Sequence, residues 1–287
     1  MKQCNIDGLS VECYEREDVR LPDRSKVSNK GDCGRLLVIG SGCGMAGASL
    51  FSAMAAERLG VGLVDILTHP DNRIPVQTLM PEAIYLSWDS FNKLSYSKYT
   101  CTAIGMGLGQ SAFAHRLLEY IILKSRTPLV IDADGINILS LAPQLLEKLP
   151  RDTVLTPHLM EFSRLTGLEI DYIKKNKPLL AEDFAKKYGV TLVLKDRETL
   201  IAFPDSSLVL VASGDSTLSK GGSGDILSGM IASLLAQGTE PARAVPTAVF
   251  LHGLAGKKAG ERLTQYGARA RDIIDEIPNT IKEFIKK

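Results

Sequence analysis

The chain lacks several features that would settle its class at once. It has no long apolar run: the longest with few interruptions, Ile226 to Ala236, is too short to span a bilayer. Its opening residues, MKQCNIDGLSVECYERED, are too polar for a signal peptide. It has no charge excess, since 34 Lys and Arg stand against 33 Asp and Glu for a net +1. No field of one sign therefore draws nucleic acid or an acidic membrane, and neither is an expected partner. Its five cysteines, Cys4, Cys13, Cys33, Cys43 and Cys101, are scattered, odd in number and without a CxxC pair. That argues against a disulfide framework or a zinc knuckle and fits a reducing cytoplasm. No internal repeat, low-complexity tract or Pro/Gly/Ser linker divides the chain. What is present is globular: 45% hydrophobic and 23% charged over 287 residues. One domain over residues 1–287 is expected, with residues 1–30 as a polar N-terminal arm.

Short apolar runs that end in glycine or acid alternate with helix-period segments. GRLLVIG (34–40), VGLVDILT (61–68), TAIGMGLG (102–109), TPLVIDADG (127–135) and DTVLTPH (152–158) read as strands. AGASLFSAMAAERLG, with Gly60 as its C-terminal stop, SAFAHRLLEYIILK and LMEFSRLTG read as helices. VTLVLKD, TLIAFPD and SLVLVAS follow so closely that part of the sheet must be antiparallel. Three helices close the chain: 225–237, 241–262 (with Thr239-Glu240-Pro241 as its start) and one within 269–286. The alternation predicts βαβ crossovers and a mainly parallel sheet with helices on both faces. Ligands of such sheets sit at the carboxyl ends of the strands, where the glycines and acids collect.

The stretch SKGGSGDILSGMIASLLAQG (219–238) places glycines beside one acid where a helix begins. Helix starts expose unpaired N–H groups with partial positive charge, and glycines let an anion reach them. Gly222, Ser223 and Gly224 are therefore candidates for a phosphate cradle. Asp225 has two readings. Either it or Ser223 caps the helix, or Asp225 is a base that takes a hydroxyl proton during phosphoryl transfer. A Walker A loop is excluded, because no Lys-Ser/Thr pair follows the last glycine. From Ile226 onward the apolar residues lie on one stripe, and small residues keep the other side thin enough for close packing.

A second loop, GCGMAG (42–47), fits G-x-G-x-x-G between a strand and a helix, with Asp65 about twenty residues on. That is the dinucleotide fingerprint with its ribose-binding acid, or simply a tight strand–helix turn. A dehydrogenase would leave GGSGD unexplained.

Taken together, these motifs resemble the ADP/ATP-dependent NAD(P)H-hydrate dehydratases of the ribokinase-like superfamily. The resemblance runs over about residues 25–285, from KGDCGRLLVIGSGCGMAGAS through IGMGLGQS, VIDADGIN, LTPHLMEF and LVLKDRETLIAFPD to SKGGSGDILSGMIASLLAQG and AVFLHGLAGKKAGE. It implies a three-layer α/β/α fold and the stand-alone form, since the epimerase domain that some members carry in front is absent. It also implies ADP- or ATP-dependent dehydration of the (S)-hydrate of NADH or NADPH. Asp225 would be the base, and the amides of Gly222, Ser223 and Gly224 would cradle the transferring phosphoryl group. Gly47, Ala48, Gly107, Gly109 and His158 match positions that line the hydrate's site. Lys195, Asp196, Arg197, Glu198 and Thr199, with Gly224, match the segment that holds the adenine nucleotide. Glu161, in His158-x-x-Glu161, matches an acid that helps organise Mg²⁺. A cytoplasmic homotetramer is implied as well.

Each position also has a plain structural reading. His158 could cap the next helix, Glu161 could be a solvated helix residue, and Lys195 could sit at a strand end. Asp132 and Asp134 could be turn formers or polar groups of the cleft. The chain departs from the family at Asp196 (for Gly), Asp215 and Thr217 (for Asn and Gly), Met106 (for Pro) and Leu159-Met160 (for Pro-Gly). Asp tolerates a left-handed backbone better than most residues, though less well than the glycine it replaces at 196. Stand-alone members tend to use ADP, which makes ADP the expected donor. The rival readings are a ribokinase-like kinase of a hydroxymethylpyrimidine, hydroxyethylthiazole or sugar, an idle nucleotide-binding protein, and a Rossmann oxidoreductase.

Overall fold

The computed structural model describes residues 2–6, 8–24 and 29–285. Met1, Asp7 and residues 25–28 of the expected arm, and Lys286 of the expected last helix, lie outside them. A central sheet runs in the order β1-β2-β11-β10-β9-β8-β7-β6-β3-β4-β5. Its parallel part is β5 (Ile84–Ser87), β4 (Leu63–Thr68), β3 (Arg35–Ile39), β6 (Cys101–Ile104), β7 (Leu129–Ile131), β8 (Thr153–Leu155) and β9 (Thr191–Leu194). β10 (Thr199–Ala202) is antiparallel to both β9 and β11 (Leu208–Val211), as the close spacing of those runs required.

Side chains alternate across the strands, so each strand feeds two cores. Leu36 and Val38 point to one face, and Leu37 and Ile39 to the other. The first face carries helices α1 (Ala46–Arg58), α8 (Ser223–Ala236), α9 (Pro241–Gly267) and α10 (Ala270–Ile281). The second carries α3 (Ala112–Lys124), α4 (Asp134–Leu141), α5 (Leu159–Thr166), α6 (Ile170–Lys175) and α7 (Lys177–Tyr188). A short α2 (Arg73–Leu79) follows β4. The fold is the expected three-layer α/β/α arrangement. Every residue of α8 from Ile226 to Ala236 is buried, so its small-residue side packs as closely as its apolar stripe.

The N-terminal arm is not the featureless lead-in that its polarity suggested. β1 (Lys2–Ile6) and β2 (Leu9–Cys13) form a hairpin, and β2 joins the sheet beside β11. The hairpin brings Cys4 and Cys13 together as a disulfide, with Cα atoms 6.5 Å apart. The expectation of no disulfide is corrected here, because the two cysteines become neighbours only once the arm folds back. α9 also runs past the expected end at Arg262. Its last turn holds a kink at Thr264, φ 65°.

Candidate active site

Asp132 and Asp134 leave the end of β7 around Ala133, whose φ of 50° is left-handed in a non-glycine residue. That twist sends the two acids to different partners. Asp132 is buried and accepts from Lys195 Nζ at 2.9 Å and from Ser228 Oγ at 2.6 Å. Asp134 Oδ2 accepts from the amide of Gly109 at 2.8 Å, which ties the GMGLG loop to the start of α4. Lys195 follows β9, and its amide donates to Pro157 O at 2.8 Å, beside His158. Burial alone would raise the Asp132 carboxyl. The Lys195 charge and the Lys195, Ser228 and Thr156 hydrogen bonds outweigh it and hold Asp132 below its ordinary value. Burial alone would lower Lys195. Asp132, with help from Glu161 and Asp225, holds it above its ordinary value.

Asp225 lies in the first turn of α8 and is not its cap: the N-cap is Gly222, at φ 94°, with no side-chain cap bond. The carboxylate of Asp225 accepts no hydrogen bond from any described residue. Burial raises its pKa first, the nearby charges of Asp132 and Asp134 add to this, and Lys195 opposes them; the result is about 7. Three main-chain amides at this turn, those of Gly222, Gly224 and Asp225, likewise have no acceptor among the described residues. The amide of Ser223, the middle member of the expected cradle, is engaged with Lys220 O at 3.2 Å. Its hydroxyl lies 3.2 Å from His252 Nε2. His252 is buried and lowered to about 4 by that burial, with the Lys195 charge acting in the same direction, so it is a neutral imidazole at pH 7.

A cleft of about 800 Å³ opens beside this turn. Lys195, Asp196, Arg197, Thr199, Ser223, Gly224 and His158 all line it, and so do Asp215 and Lys220. Of the expected nucleotide segment, Glu198 does not; its carbonyl instead accepts from Lys177 Nζ at 3.0 Å. Asp196 has no positive φ, so this position does not call on glycine's freedom. Its carboxylate accepts from the Arg197 amide and from Lys177 Nζ, which fixes the turn without glycine's freedom. Asp215 caps a short turn by accepting from the Thr217 amide at 2.9 Å.

His158 is the N-cap of α5, as its plain reading had it. Its Nδ1 accepts from the amides of Met160 and Glu161, and Glu161 Oε2 accepts from the His158 amide at 2.9 Å. Glu161 is therefore a buried capping-box acid and not a solvated one. The two glycine loops meet each other, the Gly42 amide donating to Gly107 O at 2.7 Å. A Cβ at Gly107 would come within 3.0 Å of Ala48 Cβ, and the Phe51 ring lies against both Gly47 and Gly222. Asp65 does not serve a ribose. It is fully buried within β4 and accepts from Arg35 Nε and Nη2, Lys98 Nζ and Tyr99 OH. The dinucleotide fingerprint thus lacks its acid. Nothing local in the sequence singles out Ser228 or His252, because both reach the site only through the packing of α8 and α9.

The fold and the acid at a bare helix start define a ribokinase-like protein. Residues 36–279 match the NAD(P)H-hydrate dehydratase family, and the chain belongs to that family. It is 33% identical over 284 residues to the ADP-dependent (S)-NAD(P)H-hydrate dehydratase of Bacillus subtilis, covering 96% of this chain and 100% of that one. It is 36% identical over 259 residues to the bifunctional NAD(P)H-hydrate repair enzyme Nnr of Coxiella burnetii, of which it spans 52%. A Bacillus subtilis ADP/ATP-dependent NAD(P)H-hydrate dehydratase co-crystallised with ATP/Mg²⁺ superposes with TM-score 0.87 at 30% identity, covering 96% of this chain and 99% of that one.

Proposed function

We propose that this protein dehydrates the (S)-hydrate of NADH or NADPH at the expense of ADP or ATP. The observation that carries the reading is Asp225: a carboxylate with no hydrogen-bond donor among the described residues and a pKa of about 7, at a turn where the amides of Gly222, Gly224 and Asp225 likewise lack an acceptor among them. A base with that pKa is matched to proton transfer near neutral pH. Asp225 takes the proton of the hydrate's hydroxyl as that oxygen bonds to the terminal phosphorus of the nucleotide. The phosphorus–oxygen bond to the rest of the nucleotide breaks, leaving AMP from ADP or ADP from ATP. The amides of Gly222, Gly224 and Asp225 stabilise the transferring oxygens, with Lys195 lending charge. The carbon–oxygen bond then breaks with the ring nitrogen's lone pair pushing, phosphate leaves, and the neighbouring ring carbon gives up a proton. Phosphate is a far better leaving group than hydroxide.

The nucleotide occupies the cleft lined by Lys195 to Arg197, Thr199 and Gly224. The hydrate lies on the side of Gly47, Ala48, Gly107, Gly109 and His158. Mg²⁺ fits this cleft as a companion of the phosphates. Glu161 uses Oε2 for its cap and keeps Oε1, 3.4 Å from His158 Nε2, so a water-bridged role suits it. When bound, the metal supplies neutralisation of phosphate charge. The reading includes a cytoplasmic homotetramer, which sedimentation and fractionation would check.

The test is to mix the protein with the hydrate, Mg²⁺ and ADP or ATP and to follow NADH absorbance. The expected result is its return, with phosphate released. Silence on the hydrate, together with a stable phosphate ester formed from a hydroxymethylpyrimidine or similar alcohol, would replace the reading with that of a kinase.

A further inference from the structure

Cys43, His69 and Asp71 come together outside the site described above, and we infer that they form a binding site for a zinc-class divalent cation. One ligand atom from each lies within 4.8 Å of the other two. Cys43 Sγ is 3.4 Å from Asp71 Oδ2, and His69 Nδ1 is 3.5 Å from the same oxygen. Bonds of about 2.3 Å to sulfur and about 2.0 Å to nitrogen and oxygen, at tetrahedral angles, separate neighbouring ligand atoms by about 3.3–3.5 Å. The two spacings to Asp71 therefore match those a tetrahedral ion imposes, and the Cys43–His69 separation, within 4.8 Å, lets the two turns close onto it. Thiolate, imidazole and carboxylate are a donor set for zinc, whereas magnesium and calcium prefer oxygen alone.

The ligands come from two segments that are already locked together. Cys43 lies in the turn after β3, and His69 and Asp71 lie in the turn after β4. From the buried side, Asn72 Nδ2 donates to Ser41 O and Gly42 O, and Thr68 Oγ1 donates to Ser41 O. His69 packs edge-on against Trp88 with ring centroids 5.0 Å apart. Its Nδ1 accepts from the Asp71 amide at 3.2 Å, so that nitrogen carries no proton, as a ligand requires. Binding moves this lone pair from the amide to the metal and releases the Cys43 thiol proton. Cys43 and Asp71 are exposed, so the ion has a path in, and a water completes the fourth position. The inference stands apart from the proposed reaction.

The test uses the full chain, stripped with chelator and dialysed against Zn²⁺ alone, with metal counted per chain. Co²⁺ replaces Zn²⁺ in a second sample and is read by its visible spectrum. One equivalent is expected, with a sulfur-to-cobalt charge-transfer band. Cys43→Ser and His69→Gln should each weaken binding at least about tenfold, while Cys33→Ser leaves it unchanged. Less than one equivalent, no sulfur band, or binding that survives both ligand substitutions would overturn the assignment. Circular dichroism of the variants separates lost binding from lost fold.

Discussion

The ammonium of Lys195 stands 2.9 Å from Asp132, and that pairing sets Asp132 apart from Asp225. Asp132 is held ionised by its partner and by Ser228. Asp225, on the same helix as Ser228 and less than one turn before it, is left with the raised pKa. Two carboxylates whose pKa values are pushed apart are the usual mark of distinct roles, which under the proposed function are structural for Asp132 and chemical for Asp225.

Asp225→Asn keeps the shape of the side chain and removes its ability to take a proton. Turnover of the hydrate should fall at least about a thousandfold, while nucleotide affinity changes by no more than a few fold. Retained turnover would return Asp225 to a purely structural place.

The same substitution should change stability in a pH-dependent way. The folded carboxyl titrates near 7 and the unfolded one near its ordinary value, so the folded state binds the extra proton between them. Wild-type stability is therefore lost as pH rises through that window. Asp225→Asn should match wild type below about pH 4 and exceed it by about 1–3 kcal/mol above pH 7. Denaturant melts at pH 4 and pH 8 decide this; an equal offset at both would contradict the raised pKa.

If Asp225 is the base, kcat/KM should fall about tenfold for each pH unit below 7, because that parameter follows the free enzyme. Asp132→Asn removes the stronger of the two like charges acting on Asp225, so its limb should move to lower pH. Lys195→Met should do the reverse, and should also cost about 3–5 kcal/mol by leaving Asp132 buried without its partner. A limb that stays in place in both variants would detach it from Asp225.

The parallel strands, the order of helices and the bare helix start were legible because each rests on local signals: period, glycine placement and strand-end acids. The N-terminal hairpin was not: LSVEC alternates apolar and polar residues, but over only five positions, and its place is set by pairing with β11, some two hundred residues away in the sequence. Asp65 looked like a ribose acid by spacing, yet Arg35, Lys98 and Tyr99 reach it only through the third dimension. The shape of the turn at Asp196 was left open by the sequence, because Lys177, which holds its carboxylate, comes from α7. The Lys195–Asp132–Ser228 arrangement joins residues up to 96 positions apart, which no periodicity can report.

Two adjacent glycines offer the last separation, between a fold requirement and a ligand requirement. Gly222 has φ 94°, and a Cβ there would meet the Phe51 ring at 2.7 Å and Ala270 Cβ at 3.0 Å. Gly221 has no positive φ, and a Cβ there would meet nothing within 4 Å. Gly222→Ala should therefore destabilise the protein by about 2–4 kcal/mol through strain and overpacking. Gly221→Ala should leave stability within about 0.5 kcal/mol. If the turn receives phosphate, Gly221→Ala should nonetheless weaken nucleotide binding several fold, because the new methyl group occupies space open to the anion. Calorimetric titration with ADP and ATP reads the second effect and thermal melts the first. Unchanged affinity in a fully folded Gly221→Ala protein would place the phosphates elsewhere in the cleft.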